Sequence, residues 1–143
     1  MLWLYTHMRK KKIPKEKAEA YKSQLRSFYG SLENAINYRV CSLDYSVIDK
    51  GIMDCVNTFN QHGLHTIYSC SGHSETDSAY VVFATYVTRE KIEREFELLG
   101  IKKGVYKIER KSLFQGEVTT LKVTIPPDSK DYFYICSFPK HRK

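Results

Sequence analysis

The chain has no long hydrophobic run. Its most apolar stretches are short, such as Ala79-Tyr80-Val81-Val82-Phe83-Ala84, whereas a helix needs roughly 20 apolar residues to cross a bilayer. No membrane partner is expected. The sequence also lacks a close CxxC pair, its four cysteines being Cys41, Cys55, Cys70 and Cys136. With 143 residues and 42% hydrophobic content, it can bury a core without disulfide staples. Reduced thiols and a cytoplasmic setting are therefore expected, the host cytoplasm if the chain is phage-encoded. The apolar start, Met1-Leu2-Trp3-Leu4-Tyr5, precedes the basic run and has no small-residue cleavage site after it, so no signal peptide is expected. Internal repeats and low-complexity linkers are absent too. What remains is a single domain over 1–143, with a basic N-terminal segment at 1–12, an N-terminal helix at 13–38 and an α+β core at 44–138.

Charge of one sign dominates. The formal net charge is +7, concentrated in Arg9, Lys10, Lys11, Lys12, Lys15 and Lys17 at one end and Lys140-His141-Arg142-Lys143 at the other. Such blocks suit an anionic partner, whether nucleic acid, free nucleotide or acidic surface. They equally suit solvated tails that aid solubility.

Apolar residues at Ala18, Tyr21, Leu25, Phe28, Leu32 and Ile36 recur at steps of three and four, the mark of one helical face. Pro14 suits the first turn of that helix, and Gly30 is a point where it can divide. A second helix fits 47–61, with Ile48, Ile52, Val56 and Phe59 on one side, a capping box at Ser46 and Asp49, and Gly63 as its stop. Strands follow at 64–68 and 79–85, a third helix from the Thr88 cap to Leu99, and strands at 105–109 and 118–125 around a turn at Gly116. The aromatic run Tyr132-Phe133-Tyr134-Ile135-Cys136 adds a candidate edge strand. The expected fold is α+β: a mostly antiparallel sheet of four to five strands with helices packed on one face, plus the long N-terminal helix.

The most unusual segment is the loop Ser69-Cys70-Ser71-Gly72-His73. A strand runs straight into small and polar residues, which let consecutive backbone N–H groups converge into an anion-binding nest. Ser69 and Ser71 add hydroxyls, and His73 adds a ring donor. Thr66, in the strand leading in, completes the candidate set of Thr66, Ser69, Cys70, Ser71, Gly72 and His73. The plain alternative is a polar hairpin turn whose serines and glycine satisfy local backbone groups.

This segment resembles a known signature. A helix with Ile48, Ile52, Val56 and Phe59 leads through Asn60 and Gly63 to Thr66 and Ser69-Cys70-Ser71-Gly72, and then to an apolar strand. That pattern is similar to the N-terminal signature of the wybutosine-synthesizing tRNA methyltransferase family, and to small phage and Firmicute proteins carrying the same SCSGH loop. It covers about 44–83. The resemblance implies that Ser69, Cys70, Ser71 and Gly72 belong to a site for S-adenosylmethionine and RNA. His73 stands where an arginine is usual in that family.

Two chemical roles compete with simple binding. Cys70 beside N–H donors and His73 has the setting of an activated thiolate, yet no third group is identifiable and no Cys-x5-Arg loop is present. His62, His65, Cys70 and His73 are all acceptable zinc ligands, but their spacing matches no familiar structural site. The expectation is therefore no catalytic residue, no metal and no resident cofactor. Aromatic residues make up 13% of the chain, and several stand next to cations, as in Tyr106-Lys107, Arg26 with Phe28-Tyr29, and Phe138 near Lys140. Bases stack on such rings while the cations hold phosphates, although most rings in a domain of this size belong to its core.

These features together suggest a non-catalytic protein that binds an anionic, nucleotide-like small molecule. A phage anti-defence sponge sequestering a signalling cyclic nucleotide fits them, as a homo-oligomer closing its pocket through an interface on the N-terminal helix. One alternative is a tRNA-modifying, S-adenosylmethionine-dependent methyltransferase-like enzyme. The other is an RNA- or DNA-binding module.

Overall fold

A computed structural model of the chain describes residues 14–41, 48, 50–72, 74 and 76–130. The elements run α1 (Lys15–Tyr29), α2 (Leu32–Cys41), α3 (Lys50–Gln61), β1 (Thr66–Cys70), β2 (Ala79–Phe83), α4 (Arg89–Leu98), β3 (Lys107–Leu113) and β4 (Val118–Ile125), followed by a short 3-10 turn at Pro127–Ser129. The fold is α+β with a four-stranded, wholly antiparallel-paired sheet in the order β1-β2-β4-β3. The candidate edge strand at 132–136 and the Ser46/Asp49 capping box lie outside the described residues, as do the basic blocks at 9–12 and 140–143. Among the described residues no helix is long and apolar enough to cross a membrane.

A single helix over 13–38 is not what forms. Gly30 takes φ +93, and its N–H closes α1 on the carbonyl of Arg26 at 2.8 Å. That left-handed conformation is inexpensive for glycine and ends the helix. Ser31 then starts α2, its hydroxyl accepting from the Asn34 N–H at 3.0 Å.

The core lies between α3, α4 and one sheet face. Phe59 of α3 packs against Phe96 of α4, centroids 5.0 Å apart, and against Phe83 of β2 at 6.2 Å; Tyr106 meets Phe96 edge-on. Thr88 caps α4 as expected, accepting from the Lys91 N–H at 3.2 Å. The connection from β2 through α4 to β3 skips one position, which β4 returns to fill. Strand alternation places Val82, Val118 and Thr120 on the opposite face, and these are buried as well. The second face is thus covered at its hairpin end.

The covered end lies beside α1, which is tied to the β3–β4 turn by charge. Lys22 is only 1% exposed, and its ammonium bonds to Glu117 and, at 2.7 Å, to Glu19; Arg26 reaches Glu117 at 2.6 Å. Burial alone would lower the Lys22 pKa, but its two carboxylate partners outweigh it and hold the group above its usual value. Glu117 is correspondingly held below the usual carboxylate range, first by its bond to Lys22 and then by that to Arg26.

At the other side of the sheet, β1 carries a bulge. Thr66 pairs with Phe83 and Tyr68 with Val82, so Ile67 is the extra residue. Its carbonyl accepts from Arg39 Nε of α2 at 2.8 Å. The side chain of α2 thereby satisfies an acceptor at the sheet edge.

Candidate functional site

The strand expected at 64–68 starts two residues later and runs two residues further, so Ser69 and Cys70 belong to β1 rather than to a loop. Ser69 pairs with Val81 and Cys70 with Tyr80. Their side chains therefore project to opposite faces of the sheet. Thr66 stands at the far end of β1, about 13 Å away by strand rise. It is buried, its N–H donating to Asn60 Oδ1 at 3.1 Å and its hydroxyl accepting from Asn60 Nδ2 at 2.9 Å. Those bonds tie β1 to the end of α3. Position and partners make Thr66 a structural clamp apart from the loop. His73 lies outside the described residues.

Ser71 and Gly72 form the turn itself. Gly72 has φ +89, and a Cβ there would meet Asp77 Cβ at 2.9 Å, the Ser78 carbonyl oxygen at 3.0 Å and Lys130 Nζ at 3.0 Å. Both the dihedral and the space demand glycine. Its N–H donates to Cys70 Sγ at 3.4 Å. One of the amides expected to form the nest is therefore turned towards sulfur.

Lys130, directly after the 3-10 turn, was not among the residues marked by sequence reasoning, yet it organises the loop. Its ammonium donates to the Ser71 carbonyl at 2.7 Å and to the Ser74 carbonyl at 3.2 Å. These bonds fix the cation over Gly72. Among the described residues no carboxylate pairs with it, and two of its three donors are used on these carbonyls. The only signal in the sequence was the neighbouring Pro126-Pro127, which forces the chain to turn but does not say towards what.

The first turn of α3 supplies a third component. A Cβ on Gly51 would lie 3.6 Å from Ser71 Cβ and 3.8 Å from Ser71 Oγ, so the Ser71 side chain sits against the start of that helix. First-turn N–H groups lack partners within a helix and carry partial positive charge. Ammonium, hydroxyl and helix start thus surround one glycine turn, and Asp77 Cβ approaches the same turn from the loop's other arm.

Two of the three histidines named as possible zinc ligands have partners elsewhere. His62 Nδ1 pairs with Glu95 at 3.2 Å, and His65 Nδ1 with the Tyr86 hydroxyl at 2.7 Å. Among the described residues no three His, Cys, Asp or Glu side chains converge.

The fold and site together define an α+β domain with a cation-held glycine turn at one end of its sheet. Compared with known proteins, the chain matches no family model, no curated protein and no solved structure.

Proposed function

We propose that the turn at Ser71 and Gly72 binds the phosphate of a nucleotide-like small molecule, and that the protein acts by holding this ligand rather than by converting it. The observation that carries this reading is Lys130. Its ammonium is fixed by two carbonyls 2.7 and 3.2 Å away, which leaves one N–H unspent on described residues, and it stands over a turn packed against the positive start of α3. Gly72 supports it, since a residue without Cβ lets a ligand approach the backbone closely. Sequestration of a signalling nucleotide by a homo-oligomer is the biological form in which such non-catalytic binding is useful.

Native mass spectrometry of the protein as purified, followed by a thermal-shift screen of linear and cyclic nucleotides, tests the proposal. We expect a bound nucleotide released unchanged on denaturation, or a marked shift with one nucleotide that Gly72→Val abolishes. A ligand returned chemically altered would overturn the non-catalytic reading. Labelling of tRNA from S-adenosylmethionine would establish the methyltransferase alternative. Undiminished binding by Gly72→Val would remove the turn from the site.

A further inference from the structure

The first two helices are fastened to the rest of the domain by different means. α2 buries Leu32, Ala35 and Ile36 and is stapled by hydrogen bonds, from Arg39 to the Ile67 carbonyl at 2.8 Å and between Asn37 and Thr85 in both directions at 2.7 and 2.9 Å. α1 buries Ala18, Leu25 and the stem of Lys22. Among the described residues, the ion pairs that cross from α1 to the β3–β4 turn, those of Lys22 and Arg26, both end on Glu117. The remaining pair of this cluster, Glu19 with Lys22 at 2.7 Å, lies within α1 itself. Between the two helices stands Gly30, at φ +93.

We propose that α1 is a hinged arm held shut by an ionic latch at Glu117, and that loss of this carboxylate's charge lets the arm swing about Gly30 while the rest of the domain stays folded. Opening costs little in charge. Glu19 travels with the arm, so Lys22 keeps a carboxylate partner, and its ammonium regains the hydration that burial removed. The anchor is firmly placed: Phe114 is buried, Phe114 and Gln115 hold φ +53 and +54, and the Glu117 N–H donates to the Phe114 carbonyl at 3.2 Å. The arm is therefore the part that moves. Glycine at the hinge accepts a change of backbone dihedrals that a residue with a Cβ resists. The side chains of Arg26 and Glu117 are 41% and 40% exposed, so protons and salt reach the latch without prior unfolding. Lys22 and Arg26 hold Glu117 below the ordinary carboxylate range. The latch is thus set above the unfolded value of about 4.3 and is released as pH falls through the lower folded one. The arm shares no residue with the Gly72 turn, so this proposal and nucleotide binding fail separately.

Hydrogen exchange of the full chain, read by mass spectrometry near neutral pH, is the test. In the wild type the α1 amides from Glu19 onward should exchange through a local opening, faster than those of α3 and β2 and nearly indifferent to low urea, whereas the latter wait for global unfolding and respond to urea. Glu117→Gln should quicken α1 exchange by about 3- to 30-fold, the weight of charge-assisted bonds at a partly exposed site. Glu19→Gln alters a contact that survives opening, and should leave the α1 rate where it is. Raised salt should quicken α1 in the wild type by screening the latch, a readout that needs no variant. Exchange of α1 in step with α3 and β2, an α1 rate unmoved by both salt and Glu117→Gln, or an equal effect of Glu19→Gln would each overturn the proposal.

Discussion

Lys22 and Lys130 are two fixed ammonium groups with opposite consequences. Lys22 is enclosed by carboxylates, Glu19 and Glu117, with Arg26 sharing Glu117. Among the described residues, Lys130 is held by carbonyls, those of Ser71 and Ser74. Carboxylates cancel a charge, whereas carbonyl dipoles orient it and leave it in place. The first lysine accordingly fastens α1 to the β3–β4 turn, and the second keeps a positive charge over a glycine turn. Immobility is common to both; the partners' charge separates a structural lysine from one that can receive an anion.

The largest effect should come from breaking the cancelled cluster. Lys22→Ala removes a buried stem and leaves two acids without their shared cation, and should cost about 1–3 kcal/mol of stability, read as a lower urea midpoint. Lys22→Met, which keeps the stem, should recover part of that loss. Nucleotide affinity at the distant turn should not change in either variant; a matching loss there would erase the contrast.

Lys130→Ala should do the reverse. Loss of one charge-assisted contact lowers affinity for the nucleotide found in the thermal-shift screen by about tenfold or more, with a smaller stability change. Isothermal titration would show it. An unchanged dissociation constant would mean that the cation only staples the loop.

The smallest effect concerns pH. Glu117 is held below its ordinary range in the folded chain, so its contribution is present above the unfolded value near 4.3 and disappears as pH falls through the lower folded value. Lys22 is held above its ordinary value, so its contribution is intact below about 10.4 and is lost as pH rises through the higher folded value. Melting curves should therefore show an acid limb that Glu117→Gln diminishes. The same variant should leave nucleotide binding at neutral pH unaltered.

Much of this architecture was legible beforehand because it rests on short-range signals. The three-and-four spacing of Ala18, Tyr21, Leu25, Phe28, Leu32 and Ile36 marked the face that α1 and α2 bury at Ala18, Leu25, Leu32 and Ile36, with Tyr21 partly buried, but Phe28 on the same pattern is 74% exposed. The Thr88 cap placed the start of α4, and the alternation in β4 gave that strand its bounds. Gly30 was visible as a weak point, but whether its neighbours would continue one helix depended on the two helices packing separately. The loop was legible as a composition of small and polar residues. Its residues were less so: pairing with β2 drew Ser69 and Cys70 into the strand, and Asn60 claimed Thr66 as a clamp.

By itself the sequence determined the α+β class, the glycine at position 72 as the centre of a tight turn, and a net positive charge, because composition and local periodicity encode them directly. Tertiary structure alone decided which cation reaches that turn, since Lys130 lies 59 residues from Ser71 along the chain. It likewise decided that Tyr68 of β1 meets Tyr80 of β2 edge-on, because strand register sets which side chains meet across a sheet.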